Sequence, residues 1–236
     1  MNGYILYHGK SQLDGKQIVV IATGLNGSSN RKTGNMVQTY ILCADQEPIQ
    51  AVKCGADVTI CGNCPHRGHD GFKGRSCYVS VINGPTSVYR AWKRGSYQHI
   101  RGNYIPFIGR MVRIGTYGDP AAVPAHVWDK LSTYADNITG YTHQWAKYDI
   151  SRYCLASCET SDQAVEAQAK GYRTFRIRTA DTDQEPGEIT CPASQHKTQC
   201  QDCGLCNGTI STNRINIAIT AHGNKYTLAQ YHKKFK

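Results

Sequence analysis

Apolar positions in the first third of the chain come in short runs broken by glycine. Ile18 to Thr23 is such a run, ending at Gly24, and reads as a buried strand. The polar loop GLNGSSNRKTG follows. Met36 to Cys43, with Val37, Thr39 and Ile41 alternating, predicts a second strand. Glu47 to Lys53 reads as a short helix beginning near Pro48. Pro85 opens another, whose buried face is Val88 and Trp92. Outside these elements the chain up to about Tyr78 is expected to be irregular.

The later pattern is more regular. Met111 to Ile114 predicts a strand that turns at Gly115 to Asp119. Ala125 to Ala135 predicts a helix with Val127, Trp128, Leu131 and Tyr134 on one side. Strands are expected over Thr139 to Trp145, Tyr153 to Ser157, Thr174 to Arg178, and Ile215 to Thr220, the last leading into His222. Between the second and third of these lies an alanine-rich helix, Gln163 to Lys170, with Asp162 as its N-cap and Gly171 closing it.

Strands alternating with helices indicate parallel βαβ units. The 236 residues contain no linker and no fixed repeat. We therefore expect one α/β domain over residues 1–236, built as TIM-barrel-like parallel βαβ units. Cysteine-rich metal-binding insertions are expected at 54–78 and 191–222. Active residues of such folds gather at the C-terminal ends of strands. That rule selects Asp119, His143, Ser157, Glu159, Arg178 and His222 for one pocket.

Composition changes this picture in two ways. No apolar stretch is long enough to span a membrane, and the N-terminus lacks the features of a signal peptide, so a cytoplasmic location is expected. There, eleven cysteines point to metal ligation rather than disulfides. The formal net charge of +10 points to a polyanionic partner, DNA above all. Basic and aromatic residues also interleave at Tyr89, Arg90, Trp92, Lys93, Arg94 and Tyr97.

The tightest chemical signal is Cys200-x2-Cys203-x2-Cys206, with Cys191 upstream and His222 downstream. Four cysteines, or three with a histidine, suit zinc; four cysteines also suit an iron–sulfur cluster. A looser second metal set is Cys61-x2-Cys64 with Cys77, to which Cys54, His66 or His69 could add a ligand. The cysteine spacing of radical S-adenosylmethionine enzymes is absent.

Asp119, in GTYGDP, is the first candidate for a reacting carboxylate; its competing role is a turn or cap before Pro120. Glu159 or Asp162 could supply a second carboxylate, Asp162 being better explained as an N-cap. His143, in TGYTHQW, could act as a base, bind phosphate or serve structurally. Arg176 and Arg178 share one face of their strand, facing either a lumen or solvent. With Asn30 and Lys32 of the glycine-rich loop they are candidate substrate or DNA contacts, although that loop lacks the Walker A pattern.

Several segments together resemble a group of small cysteine-rich proteins encoded by bacteriophages. They are SSNRKTG, CGNCP followed by SCYV, RIGTYGDP, GYTHQW, LASCETSDQAVEAQAKGYRTFRIR, and CPAS followed by CQDCGLC, and the resemblance runs from about Ile18 to His222. Within that group the chain resembles the DpdA-type 7-deazaguanine DNA transglycosylases, relatives of tRNA-guanine transglycosylases. The resemblance implies a TIM barrel, an aspartate nucleophile, a second aspartate as acid/base, and zinc held by three cysteines and a histidine. Cys200, Cys203, Cys206 and His222 would be the zinc set and Asp119 a catalytic carboxylate. The chain departs from the tRNA-enzyme pattern in the spacing of the first two cysteines, the earlier histidine, the extra Cys191 and the missing aspartate–serine–glycine–glycine segment. The implied reaction replaces guanine in DNA by a free 7-deazaguanine base such as preQ0, through a covalent glycosyl-enzyme, after the target base is exposed. Two other readings stand beside it: an iron–sulfur barrel enzyme, and a non-enzymatic zinc-stabilised nucleic-acid-binding protein.

Overall fold

The structure, a computed structural model, describes residues 2–28, 30–195, 198–210, 212 and 214–235. Its elements in chain order are β1 (Gly3–Lys10), β2 (Gln17–Thr23), β3 (Val37–Cys43), α1 (Pro48–Cys54), α2 (Val58–Cys61), α3 (Gly84–Lys93), β4 (Gln98–His99), β5 (Met111–Tyr117), α4 (Ala125–Tyr134), β6 (Asn137–Thr139), β7 (Tyr141–Thr142), β8 (Leu155–Cys158), α5 (Ser161–Ala169), β9 (Thr174–Arg178), β10 (Glu188–Thr190), α6 (Cys200–Cys203), β11 (Asn216–Thr220) and α7 (Lys225–Phe235).

The strands form two sheets, ordered β4-β1-β2-β3-β5-β6 and β10-β11-β9-β8-β7. β1 and β2 form an antiparallel hairpin, and β2 pairs antiparallel with β3. From β3 onward the direction is uniform. β3, β5 and β6 are parallel, and so are β7, β8, β9, β11 and β10.

The sheets meet in one extended segment. Ile138 pairs with Val112 of β5, while Tyr141 pairs with Leu155 of β8. Gly140 lies between, accepting from Leu155 N and donating to the Cys206 carbonyl. A side chain does not fit there: a Cβ would stand 2.6 Å from Ile114 Cγ1 and 2.8 Å from Cys154 Sγ.

The α/β class and its parallel units are as the sequence predicts, but the expected barrel does not close. The free edge of β3, where a further parallel strand would continue a ring, is taken by antiparallel β2. At the other end β10 pairs only with β11 among the described residues.

Apolar burial follows the predicted faces. Val127, Trp128 and Leu131 of α4 are buried, as is Val88 of α3, with Trp92 packed against the core. Several boundaries differ. The first strand, β1, lies in a region expected to be irregular. β5 continues through Gly115 to Tyr117, and the strand expected to reach Trp145 ends at Thr142. Thr160, not Asp162, caps α5, its hydroxyl accepting from Gln163 N. No described helix is long and apolar enough to cross a membrane.

Candidate metal-binding cavity

Because the strands from β3 onward run one way, their C-terminal ends share an edge, where ligand sites of open α/β sheets form. A cavity of about 180 Å³ opens there. Phe175, Ile177, Ile217 and Ile219 form its apolar wall. Of the strand-end residues singled out by sequence, Asp119, His143, Ser157 and His222 line it. So do Cys61, Cys64 and Cys77, and Cys191, Cys200, Cys203 and Cys206. Both cysteine sets thus meet in one space, and all eleven cysteines are free thiols.

Cys191 follows β10, its amide donating to Ala218 O of β11. The short helix α6 is pinned by the glycine-rich loop: Cys200 N donates to Lys32 O, and Asn35 N to Gln201 Oε1 at 2.5 Å. Gly204, left-handed at φ +61°, turns the chain toward Cys206. Burial pushes the Cys206 thiol up to about 12; the Tyr141 hydroxyl hydrogen-bonded to it opposes this, and Cys191, Cys200 and Cys203 reinforce it. The four thiols are therefore electrostatic neighbours. His222 stands apart from them. Its Nδ1 lies 3.2 Å from Thr220 O and its Nε2 3.4 Å from Lys32 Nζ, so the histidine of the expected zinc set faces a cation, not a thiol.

On the opposite side, Glu159 Oε1 accepts from two imidazoles, His143 Nε2 at 2.9 Å and His66 Nε2 at 3.1 Å. His66, His143 and Glu159 are the one group among the described residues whose three ligand atoms lie within 4.8 Å of one another. Burial pushes the Glu159 carboxyl up, but the hydrogen bonds and charge of both histidines outweigh it and hold the pKa at about 2. Burial lowers His143, but Cys64 and Glu159 more than offset this and raise it well above its ordinary value. His66 is lowered, chiefly by burial. Glu159 is thus ionised and sits behind the histidines that line the cavity.

Asp119 is the cap its competing reading describes. Its Oδ1 accepts from Ala121 N and from the Thr142 hydroxyl, and its Oδ2 from His143 N at 2.8 Å. Burial raises its pKa, against those hydrogen bonds. The carboxylate lines the cavity but is engaged in fixing the backbone at the end of β7.

The remaining candidates divide. Lys32 lines the cavity. The Asn30 carboxamide instead accepts from Lys32 N and Thr33 N, shaping its own loop. Phe175 and Ile177 take the cavity side of β9, so Arg176 and Arg178 point away. Arg176 is fully buried and paired with Glu188 at 2.7 Å; Arg178 bonds the carbonyls of Thr179 and Thr182. Neither offers its guanidinium to a ligand in the cavity. Sequence reasoning missed Arg113 and Tyr117. Both line the cavity, and Arg113 Nε and the Tyr117 hydroxyl are buried without a hydrogen-bond partner. Arg113 donates through Nη2 to the Tyr78 hydroxyl. Within a strand it reads as an ordinary alternating position, and nothing in the sequence marks it.

No family model matches this chain, and neither does any curated protein or solved structure. The chemistry of the cavity must be read from its own residues. It offers soft thiolate ligands, imidazoles held by an ionised carboxylate, and cationic side chains suited to an anion.

Proposed function

We propose that this chain is an iron–sulfur enzyme whose cluster is held by Cys191, Cys200, Cys203 and Cys206, and that it acts on an anionic substrate of nucleic-acid type. The observation that carries the reading is that all four cysteines line the strand-end cavity rather than a remote surface loop. The donor set fits such a cluster. Cys-x2-Cys-x2-Cys with a separate cysteine followed by proline, here Cys191-Pro192, is the ferredoxin-type pattern. Zinc held by the same four thiolates is the competing occupant of the site.

A bound cluster supplies electrons or a Lewis-acidic iron to the cavity. The chain supplies the rest. Arg113 and Tyr117 present unpartnered donors, and Arg75 and Lys32 add positive charge. Glu159, and the Asp119 hydrogen bond to its amide, fix the His143 ring on the cavity wall.

DNA base exchange is the second reading, favoured by the position of Asp119 on the cavity wall and by the net charge of +10. Its difficulty is that three donors already engage the Asp119 carboxylate.

Anaerobic purification followed by iron, sulfide and zinc analysis separates the two. The first reading expects a brown protein with about four irons per chain, and loss of colour in Cys203→Ser. Stoichiometric zinc in a colourless protein would reject it. Base exchange then predicts that Asp119→Asn abolishes turnover while DNA binding persists.

A further inference from the structure

We infer that the chain carries a second metal site, a tetrahedral zinc-type centre held by Cys61, Cys64, Cys77 and the Nδ1 of His143. It goes beyond the cluster assigned to the other cysteines and does not depend on it.

The geometry starts with the histidine. Glu159 takes Nε2 of His143, leaving Nδ1 as its free nitrogen, and Nδ1 lies 3.4 Å from Cys64 Sγ. Two ligands of one tetrahedral zinc, at ~2.3 Å for sulfur and ~2.0–2.1 Å for nitrogen, stand about 3.5 Å apart. A carboxylate on the far nitrogen of a ligating imidazole is the usual outer support of such a centre, fixing ring and tautomer. His66 has no nitrogen to offer, because Ser76 Oγ holds its Nδ1 at 2.9 Å and Glu159 its Nε2. It is a positioning residue.

The backbone brings in the other two thiols. Cys64 N donates to Cys61 O, closing the Cys-x2-Cys turn. Gln144 Nε2 donates to the same carbonyl at 2.9 Å and so docks that turn against the end of β7. Gly62 permits the approach: at φ +56°, its missing Cβ would lie 2.5 Å from Gln144 Oε1. Cys77 N donates to His66 O, tying the third cysteine to the same strip. All four ligand residues line the cavity. The Cys64–His143 pair is in contact at 3.4 Å, and the other two thiols have to close inward to complete the sphere, since no three of the four ligand atoms lie within 4.8 Å of one another. Arg67 and Arg75, which also line the cavity, offset the single negative charge that three thiolates leave on a divalent ion.

The test uses the full chain with the other site disabled, as Cys203→Ser/Cys206→Ser, titrated anaerobically with Co(II). One cobalt per chain with a tetrahedral spectrum and strong sulfur-to-metal charge transfer is expected. Cys64→Ser in that background should lower the charge-transfer intensity by about a third, one of three thiolates being lost. Glu159→Gln should weaken affinity by roughly 10–100-fold while keeping the spectral shape, a split that a merely structural carboxylate would not give. Cys54→Ser, at an exposed thiol, should bind as its parent does. Absence of a tetrahedral spectrum in the folded double variant would overturn the site. So would binding unchanged by both Cys64→Ser and His143→Ala.

Discussion

The two sheets are stabilised by different means. Around β1 to β6 one continuous apolar cluster runs from Ile5 to Cys154, with Ile18, Val19, Val20, Ile21 and Trp128 fully excluded from solvent. Around β7 to β11 the apolar clusters are small. One is largely alanine, Cys158, Trp145 and Tyr172; the other includes Cys191 and packs against Cys200 and Cys206. The second half makes up with polar ties, among them the buried Arg176–Glu188 pair and Arg173 bonding the carbonyls of Leu205, Gly208 and Ile215. Apolar burial suffices for the first sheet. The second is built around a cavity, and a bound metal would contribute there what a core contributes elsewhere.

This contrast can be broken at graded cost. Trp128 of α4 is fully buried, with its indole N–H on Pro120 O, so Trp128→Ala should cost about 3–5 kcal/mol. The urea midpoint should fall accordingly. A smaller effect belongs to Glu159. Its folded pKa of about 2 lies below the ordinary 4.5, so it stabilises the fold above pH ~4.5, and that stability is lost as pH falls toward 2. In metal-free protein the loss should be on the order of 3 kcal/mol, and Glu159→Gln should flatten that limb of the stability–pH curve. Gly140→Ala should cost about 1–3 kcal/mol through the forced contact with Ile114 and Cys154, visible as a lower Tm and weakened pairing of both β6 and β7. Smallest, Thr160→Ala removes the α5 cap and should cost ~1 kcal/mol by the same denaturation assay.

Most of the parallel half was legible because periodicity and glycine mark its strands: Thr174–Arg178 falls where the pattern puts it. The strand-end rule likewise placed His143 and Asp119 on the cavity. That the sheet stays open was not legible, since it rests on the antiparallel β1–β2–β3 pairing, and the alternation of β1 is blurred by Gly3 and Gly9. The two readings of Asp119 could not be separated in the sequence, because a cap and a reacting carboxylate share one local pattern; the three donors to its carboxylate are visible only in the fold. Arg176 was misjudged because alternation gives a shared face but not which face is inside. That His66 and His143 meet on Glu159 depends on contacts across 93 and 16 residues, which no local pattern carries.

The most direct test of the account is hydrogen–deuterium exchange on anaerobically purified protein, before and after treatment with a metal chelator. Protection should collapse across β7 to β11 and α6 while β1 to β3 and α4 keep theirs. Exchange unchanged on chelation, or rising equally in both sheets, would contradict the claim that metal held by the cavity cysteines replaces an apolar core in the second half.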